Sequence, residues 1–478
     1  MEIAGLAYDS RKVEPGTLFF CVPGEKVDGH EFAAAAVEAG AAGLVVEREL
    51  ELDVVQVVVG DARVAMAPVA ARFWGEPTEE LKVVGVTGTN GKTTTAFLIR
   101  EILEAAGMQC GLLGTVKQVV GGVEEEVERT TPEAIELQAT FRRMLDGGDR
   151  ACVMEVSSHA LALHRADAID FDVALFTNLS RDHLDFHADM GDYFQSKRRL
   201  FAAGPETAIV NVDDEYGDRL ATEFECLGFS AEGWDADFVA RDVSFDGGGS
   251  SFTAALPPTG LKVNSELTLG PVGGEVRVRT RLPGDFNVSN ALAAFAAAVV
   301  LGVDPKGAAA ALAAAAPPPG RFEPIDEGQP FAVLVDYAHT PNSLENVLRA
   351  ARRLTEGRLI SVFGAGGDRD RGKRPQMGQA GAELSDLAIV TSDNPRSERP
   401  EAIVEEVLSG VEDRGGVEVE PDRRAAIELA LARARRGDTV VIAGKGHEQG
   451  QEFEDGRKVP FDDREVARDG LKKLSSAR

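Results

Sequence analysis

The sequence predicts an α/β protein of three domains, and three observations support this fold class. The chain has 478 residues, and at about 100 to 200 residues per domain such a length gives two to four domains. Short Val- and Ile-rich runs alternate with segments of helical periodicity, which is typical of a mainly parallel sheet covered by helices. Prolines at 317–319 interrupt this alternation. We therefore expect a small mixed α/β domain at 1–79, a central domain at 80–316 and a C-terminal α/β domain at 317–478.

The first two domains are predicted from short apolar runs. In the first domain, TLFFCVPG and GLVVE are separated by Gly and charged residues, as short strands are. The central domain opens with the strand LKVVGV and a Gly-rich turn, followed by a helix in which Leu98 and Ile102 recur at helical spacing before Gly107 ends it. Further strands of its sheet are predicted at 151–156, 172–176 and 207–212.

The C-terminal domain is predicted to be Rossmann-like. Its strands FAVLVD, RLISVF, DLAIVTS and DTVVIA alternate with helical segments such as SLENVLRAARRL. Each strand runs directly into an unusual loop, namely YAHTPN, GAGGDRDRGKR, DNPRSE and GKGHEQ. Because ligands bind at the carboxyl ends of strands in open parallel sheets, these loops are predicted to converge on one site.

Composition excludes several classes of function. The chain carries 51 basic and 79 acidic residues, a net charge of −28 that disfavours nucleic acid as a partner. The longest apolar run, Ala291 to Val303, has 13 residues, whereas a membrane span needs about 20. No basic segment precedes an apolar stretch at the start, and the four cysteines are scattered. We expect a cytoplasmic protein without a membrane span, acting as a monomer.

A phosphate-binding loop is predicted between the first central strand and its helix. Backbone amides and a helix amino terminus cradle phosphates in that setting. Lys92 would neutralise the β- and γ-phosphate oxygens, and Thr93 would hold Mg²⁺. The strict P-loop pattern is not met, because Val86 stands six positions before Lys92, and a Gly-rich turn that only caps a helix is the alternative. The predicted nucleotide contacts are Gly88, Thr89, Asn90, Gly91, Lys92, Thr93 and Thr94.

Further motifs accompany this loop and together identify a family. They are MEVSSHALALHR (154–165), TNLSRDHLDFH (177–187), SKRRLF (196–201), GDFNVSNALAA (284–294), PGRFE (319–323) and DYAHTP (336–341). With GTNGKTT, they resemble the Mur ligases and their folylpolyglutamate synthetase relatives over nearly the whole chain. The resemblance implies an enzyme that activates a carboxylate with the γ-phosphoryl group of ATP, after which an amine attacks the acyl phosphate. The three domains would then bind a UDP substrate, ATP and an amino acid, in chain order.

The resemblance also implies a metal and nucleotide site. Glu155 ends an apolar strand, where a metal is a natural counter-charge for a buried carboxylate. His183 matches the second metal ligand of the family, although imidazole is unusual for Mg²⁺. Lys197 alone is typical of a solvated helix lysine, but the matching lysine of the family is carbamylated to an anionic N6-carboxylysine. The implied catalytic residues are Lys92, Glu155, His183 and Lys197, and the implied metal ligands are Thr93, Glu155, His183 and carbamylated Lys197.

On the same resemblance, three residues outside the loop contact ATP. Asn290 would lie near the adenine, and Arg321 and Asp336 would reach the nucleotide from the C-terminal side. Salt bridging between domains is the alternative role for Arg321 and Asp336.

The first domain resembles the part of these ligases that binds uridine diphosphate, with predicted contacts at Ser10, Glu25, Lys26 and Val27. It is shorter than usual before Ser10, so either contacts are missing or Ala7 and Tyr8 supply them. The sugar and peptide of UDP-MurNAc-L-Ala-D-Glu would be held by Thr130, Thr131, Ser157 and Arg165. Leu163 departs from a polar residue sometimes found in the family. Capping of a helix near Pro132 is the alternative for the two threonines.

The incoming amino acid is predicted from the C-terminal loops. The run Asp393 to Arg396 resembles the recognition motif of family members that add meso-diaminopimelate, whose second carboxylate suits the Arg396 guanidinium. The ammonium of L-lysine would be repelled there. A helix-start turn at Asp393 to Pro395 and a surface position for Arg396 are the alternatives. The predicted contacts are Arg369, Asp393, Asn394, Pro395, Arg396, Gly444 and Glu448.

Other functions compete with this hypothesis. The same chemistry with L-lysine is the nearest, and a folylpolyglutamate synthetase is more remote, because it should lack both the UDP-binding domain and the DNPR motif. A dinucleotide-binding protein could use Phe363 to Gly367, but Arg369 replaces the third glycine of its motif. A regulator that binds nucleotide without catalysis is disfavoured by the complete catalytic set.

Overall fold

The computed structural model describes residues 2–24, 27–127, 129–257 and 274–476. Glu25 and Lys26, which were predicted to contact the UDP substrate, lie outside the described residues. The α helices are α1 Ala33–Glu38, α2 Ala62–Phe73, α3 Lys92–Ala105, α4 Ala134–Asp146, α5 Ser158–Ala162, α6 Met190–Ala202, α7 Glu215–Glu223, α8 Asp285–Val300, α9 Pro305–Ala314, α10 Pro341–Leu354, α11 Lys373–Leu384, α12 Pro400–Leu408, α13 Arg423–Arg433 and α14 Asp463–Ser476.

The strands alternate with these helices along most of the chain. They are β1 Gly5–Ala7, β2 Thr17–Phe20, β3 Gly43–Val46, β4 Val55–Val58, β5 Lys82–Thr87, β6 Cys110–Leu113, β7 Gln118–Val120, β8 Val123–Glu125, β9 Ala151–Glu155, β10 Val173–Phe176, β11 Thr207–Asn211, β12 Leu227–Ser230, β13 Phe238–Asp246, β14 Gly249–Leu256, β15 Gly274–Thr280, β16 Glu323–Pro324, β17 Ala332–Asp336, β18 Leu359–Phe363, β19 Leu387–Val390, β20 Val417–Val419, β21 Thr439–Ala443, β22 Gly450–Glu452 and β23 Lys458–Pro460.

The chain folds into two compact units. The first comprises Met1–Thr87, Gly107–Ala174 and Ser196–Thr207. The second comprises Gly88–Ala106, Leu175–Gln195 and Ala208–Arg478. Each unit combines sheets with helices, so the predicted α/β class with mainly parallel sheets is confirmed.

The first unit contains a small parallel sheet in the order β1-β2-β3-β4. Its strands bury alternate side chains on opposite faces, because Phe19 packs with α1 residues whereas Phe20 packs with Met66 of α2. In the same unit, β5, β9 and β6 are parallel neighbours, and β7 and β8 extend them antiparallel. The antiparallel extension was not predicted.

The second unit contains a Rossmann-like sheet in the order β16-β17-β21-β18-β19-β20. All neighbours are parallel except the short edge strand β16. Val440 and Ile442 of β21 face α13 and α14, whereas Val441 and Ala443 pack on the face with α10 to α12. Strands buried on both faces read as continuous apolar runs, which explains why the sequence identified them.

The same unit holds the strands β11 to β15 and the helices α3, α8 and α9. Strands β11, β12 and β13 are parallel, and β14 and β15 add an antiparallel edge. The Ala-rich helix α8 is buried on nearly every side, so the longest apolar run of the sequence is core. In the described part of the chain, the model contains no helix of the length and apolarity that crossing a membrane requires.

Candidate active site

The predicted phosphate loop joins β5 to α3 and is held by the segment after β10. The amide of Thr89 donates to the Asn178 carbonyl at 2.8 Å, and the amide of Asn90 donates to Asn178 Oδ1 at 3.0 Å. Gly88 has a φ of +146°, and a Cβ there would lie 1.9 Å from Thr177 Oγ1. The loop can therefore pack this closely only with glycine at that position.

Basic side chains surround the loop. Lys92 Nζ donates to the carbonyls of Gly88 and Thr89, each at 2.9 Å, so the lysine folds back over its own turn. Arg321 Nη2 donates to Thr93 Oγ1 at 2.9 Å, and its guanidinium stacks on the Tyr337 ring at 4.5 Å. Two cations thus lie at the helix amino terminus, where phosphates are bound in other proteins.

Asn290 and Asp336 support this arrangement. Asn290 Oδ1 would lie 2.4 Å from a Cβ on Gly91, and it accepts from Thr95 Oγ1 at 3.4 Å. Asn290 therefore contacts the loop itself. Asp336 Oδ2 accepts from the Phe322 amide at 2.7 Å. Burial raises the pKa of Asp336, while the charge of Arg321 opposes the shift.

In the first unit, the carboxyl ends of β6 and β9 bring Glu155 against Thr115. Glu155 is 1% exposed, and its Oε1 accepts from the Thr115 amide at 2.8 Å while Oε2 accepts from Thr115 Oγ1 at 3.1 Å. Thr115 Oγ1 in turn contacts Thr130 Oγ1 at 3.1 Å. Sequence reasoning missed Thr115, although its place directly after a buried strand was an available signal.

The residues predicted to bind sugar and peptide also lie together. Thr131 Oγ1 donates to the Glu155 carbonyl at 2.8 Å and lies 3.4 Å from Ser157 Oγ. Arg165 Nη1 donates to the Thr131 carbonyl at 3.3 Å. Helix α4 begins at Ala134 with a capping box between Glu133 and Glu136. The alternative in which the two threonines cap this helix is therefore wrong.

Glu133 organises three arginines beside these residues. Its carboxylate pairs with Arg63 at 2.9 Å, Arg129 at 3.2 Å and Arg165 at 2.9 Å. Burial, and then the charges of Arg129 and Arg63, lower the pKa of Arg165, while Glu133 opposes the shift. Three guanidinium groups on one carboxylate leave positive charge in excess. This cluster could not be predicted from spacing along the chain, because Glu133 and Arg63 are 70 residues apart.

Ser10 and Val27 follow neighbouring parallel strands of the small sheet. Ala7 of β1 is in register with Phe19 of β2, so the loops after both strands leave the same edge. Val27 is 47% exposed. Next to it, bonds from the His30 amide, Arg48 and the His30 ring lower the pKa of Asp28.

Lys197 is buried, whereas the His183 side chain is 37% exposed. Lys197 lies on α6 and is 1% exposed, so the interpretation as a solvated lysine is wrong. His183 has a φ of +55°, and its Nε2 lies 3.5 Å from Asp182 Oδ2.

Asp182 itself is buried beside several cations. Lys373 Nζ lies 3.3 Å and His339 Nε2 lies 3.7 Å from its carboxylate. Burial alone would raise the pKa of Asp182, but Lys373, His183 and His339 outweigh burial and lower it well below its usual range. The carboxylate of Asp182 is therefore ionised at neutral pH.

The C-terminal loops converge as predicted from the strand ends. Asn394 Nδ2 donates to Glu448 Oε2 at 2.9 Å, which joins the DNPR and GKGHE loops. Lys445 Nζ donates to both Asn394 Oδ1 and Glu448 Oε2, each at 2.8 Å. Gly444 has a φ of +125°, and a Cβ there would lie 2.5 Å from Asp393 Oδ2.

Arg396 is anchored within this site. Its Nε donates to Glu452 Oε2 at 2.9 Å, and its Nη1 donates to the Gly367 carbonyl at 2.7 Å. The adjacent helix α12 begins at Pro400 and its N-cap is Arg399. Both alternatives for this motif, a helix-start turn and a surface cation, are therefore wrong. Arg369 is half-exposed and lies 4.0 Å from Asp185.

The glycines of the GAGG segment serve packing. A Cβ on Gly364 would lie 2.3 Å from the Thr391 carbonyl, and one on Gly367 would lie 1.9 Å from the Pro395 carbonyl. These glycines let the segment pack against the DNPR loop. Close packing therefore accounts for these glycines without a bound dinucleotide.

Two of the four predicted metal ligands carry oxygen donors of the kind that magnesium prefers. Among residues 2–24, 27–127, 129–257 and 274–476, no group of three or more His, Cys, Asp or Glu side chains could hold a metal ion. Mg²⁺ is usually bound by one or two carboxylates plus phosphates and water. The Thr93 hydroxyl and Glu155 carboxylate are donors of this kind, whereas the His183 imidazole is a softer ligand.

Comparisons with known proteins cover nearly the whole chain. The Mur ligase middle domain matches residues 86–298, the Mur ligase, glutamate ligase domain matches 320–446, and the Mur ligase family, catalytic domain matches 2–74. A relative from Streptomyces coelicolor, named UDP-N-acetylmuramoyl-L-alanyl-D-glutamate–2,6-diaminopimelate ligase, is 47% identical over 99% of this chain and 93% of its own. A relative of the same name from Syntrophomonas wolfei is 45% identical over 98% and 95%.

Solved structures agree with these relatives. A structure of a UDP-N-acetylmuramoyl-L-alanyl-D-glutamate–2,6-diaminopimelate ligase is 32% identical, with a TM-score of 0.69 over 99% of this chain and 95% of that chain. The MurF ligase of Thermotoga maritima in complex with ADP is 20% identical, with a TM-score of 0.65 over 99% and 98%, and shows the same three-domain fold. The chain belongs to the Mur ligase family.

Proposed function

We propose that this chain joins meso-diaminopimelate to the D-glutamate carboxylate of UDP-N-acetylmuramoyl-L-alanyl-D-glutamate, at the expense of ATP. The observation that carries this proposal is similarity of 41–47% identity, over nearly the full chain, to relatives named for that reaction with 2,6-diaminopimelate. The product is a peptidoglycan precursor, and we place the reaction in the cytoplasm.

The proposed chemistry has two steps. A carboxylate oxygen of D-glutamate attacks the γ-phosphorus of ATP, the bond to the β-phosphate oxygen breaks, and ADP leaves. The amine of diaminopimelate then attacks the acyl carbon, phosphate leaves, and the nitrogen loses a proton. Both reactants of the first step are anions, so positive groups must screen them.

The nucleotide end of the site is assigned to the phosphate loop. Lys92 would exchange the carbonyls of Gly88 and Thr89 for phosphate oxygens, and Arg321 would reach the phosphates beside Thr93. Asn290 would lie near the adenine, and its contact with the loop supports a further role in holding the turn. Asp336 would fix the segment that carries Arg321, through the Phe322 amide.

The metal ligands would be Thr93, Glu155, His183 and carbamylated Lys197. When bound, Mg²⁺ supplies positive charge that offsets the phosphates and the attacking carboxylate. Carbamylation requires a neutral amine, and Lys197 is 1% exposed.

The UDP substrate is assigned to the first unit. Ser10 and Val27 at the edge of the small sheet would contact the uridine diphosphate, together with Glu25 and Lys26 from outside the described residues. Thr130, Thr131, Ser157 and Arg165 would hold the sugar and peptide. The positive charge around Glu133 supports binding of an anion there.

The amino acid is assigned to the C-terminal loops. The carboxylates of Asp393 and Glu448 would accept hydrogen bonds from the distal head group, and the Asn394 amide would also hydrogen-bond to it. Pro395 and Gly444 would shape the pocket. Arg396 and Arg369 would bind the second carboxylate. Because Glu452 already balances the charge of Arg396, repulsion alone does not exclude L-lysine, and hydrogen bonding to the carboxylate must provide selectivity.

A phosphate-release assay with a substrate panel tests this function. With ATP and the UDP-dipeptide present, we expect release to require an added amino acid, and kcat/KM for meso-diaminopimelate to exceed that for L-lysine at least tenfold. L-lysine is the matched control, because it lacks only the distal carboxylate. Equal use of lysine, or release that does not depend on the UDP substrate, would contradict the proposal.

A further inference from the structure

Lys445 is a fully buried lysine of the GKGHE loop, one of the loops assigned to the amino acid. Its side chain is 0% exposed, although lysine is almost never buried unless it is paired. Nζ donates to Asn394 Oδ1 and to Glu448 Oε2, each at 2.8 Å. It therefore contacts two residues assigned to the substrate while being withdrawn from the surface that the substrate would touch.

The bonds of Lys445 fix the orientation of the Asn394 amide. Asn394 Oδ1 accepts both from Lys445 and from the Glu452 amide at 3.0 Å. With the oxygen held on that side, Nδ2 must point toward Glu448 and donates to its Oε2 at 2.9 Å. An amide has two chemically different ends, and Lys445 and the Glu452 amide together fix which end of Asn394 accepts.

Lys445 also sets the charge of the site. Burial alone would raise the pKa of Asp393, but Lys445 first, then Arg423, the Asn394 amide and His339, outweigh burial and lower it. The charge of Arg423 is shared with Asp463, at 2.6 Å. Lys445 is thus the main positive charge that offsets the carboxylates of Asp393 and Glu448.

One oxygen of each of these two carboxylates has no close hydrogen bond in the described part of the chain. Glu448 Oε2 is occupied by Lys445 and Asn394, whereas Oε1 has only a long contact of 3.5 Å from the Tyr337 hydroxyl among the described side chains. Asp393 Oδ2 is buried without a hydrogen-bond partner in the described part of the chain. Asp393 Oδ2 lies 3.9 Å from Arg423 Nη1, so Glu448 Oε1, on a side chain that is 30% exposed, is the acceptor left for an ammonium group.

We propose that Lys445 is a positioning residue that holds Asn394 and Glu448 in the orientation needed for the ammonium and carboxylate of the incoming diamino acid, an assignment that rests on the proposed function. Lys445 does not touch the substrate. It acts on affinity for the amino acid, and leaves the nucleotide and the UDP-dipeptide unaffected.

Steady-state kinetics of Lys445→Met test this role. Methionine keeps much of the length and removes the charge and the donors. We expect KM for meso-diaminopimelate to rise at least tenfold, while KM for ATP and for the UDP-dipeptide stay within twofold and kcat within threefold. Lys445→Arg, which retains charge and donors, should recover part of the loss. The matched control is Lys472→Met on the exposed face of α14, which should behave as wild type.

The outcomes separate the two proposals. Turnover of diaminopimelate by the wild-type enzyme tests the proposed function. The ratio of KM for the amino acid between the variant and the wild type tests the role of Lys445. If the wild type uses L-lysine instead, that ratio is measured with L-lysine. An unchanged KM for the amino acid, or an equal rise for all three substrates, would overturn the role of Lys445. If Lys445→Met does not show a cooperative thermal transition, Lys445→Gln is judged by the same thresholds.

Discussion

At the scale of single residues, burial and partners decide which side chains can act. Lys197 is 1% exposed on a helix whose other residues include several polar ones. A lysine in that setting is costly unless its charge is balanced or removed, and carbamylation would convert it into an anion suited to a metal. Burial therefore distinguishes Lys197 from a solvated helix lysine, and its carbamylation stays a prediction from the family resemblance.

Replacement of Lys197 gives a direct test of this assignment. We expect Lys197→Ala to lose most activity, at least a hundredfold in kcat, because a carbamylated Lys197 would supply an oxygen ligand for the metal. Added short-chain carboxylates should restore part of the rate by occupying the vacated space. Arg198→Ala, at the neighbouring position, is the control for helix α6. Wild-type rates in Lys197→Ala would remove the residue from the site.

Sequence motifs identified the residues proposed to contact ligands, but not the residues that hold them in place. Asn394 and Glu448 could be predicted because each lies in a motif directly after a strand. Lys445 lies in the same motif as Glu448, yet its role depends on how two loops meet, which spacing along the chain does not specify. Thr115 and Glu133 were missed for the same reason.

At the scale of elements, buried ion pairs connect the helices of the C-terminal domain. Arg374 on α11 is fully buried and pairs with Glu398 at 2.6 Å and with Glu406 of α12 at 2.8 Å. The hydrogen bond from Arg374 lowers the pKa of Glu398 from its ordinary 4.5 to about 2. This stabilisation is therefore present above about pH 4.5 and is lost as the pH falls through about 2.

Arg374→Met should expose this linkage. Breaking a buried pair leaves charge unbalanced, and we expect a loss of about 3 kcal/mol in the free energy of unfolding at neutral pH. Because Glu398 becomes protonated in acid, the difference from wild type should shrink as the pH is lowered, as followed by urea unfolding. Arg371→Met is the control, since Arg371 is exposed and should contribute little. A difference that does not vary with pH would contradict this linkage.

Elements were predictable where burial repeats along the chain, and less so at sheet edges. The strands of the Rossmann-like sheet are apolar on both faces and stood out in the sequence. Burial alternates along β14, and most residues of β8 and β15 are exposed, so these antiparallel strands lack a continuous apolar run. The pairing of β14 with β15 also depends on contacts distant in sequence. The helix predicted to begin near Pro132 begins at Ala134, after the N-cap Glu133.

At the scale of the whole molecule, the chain is strongly acidic but carries local clusters of positive side chains. The net charge is −28, whereas both proposed nucleotide substrates are anions. Arginines around Glu133 in the first unit, and Lys92 with Arg321 in the second, concentrate positive charge where those anions would bind. The two domain boundaries at 79 and 316 remain predictions, while membership of the family accounts for the order of the domains along the chain.

Mass spectrometry of the reaction product tests the central claim most directly. Full-length protein would be incubated with ATP, Mg²⁺, the UDP-dipeptide and an equimolar mixture of meso-diaminopimelate and L-lysine. We predict one main new species, with the mass of the UDP-dipeptide plus diaminopimelate less one water, formed together with ADP. A main product containing lysine, or no amide product while ATP is consumed, would contradict it.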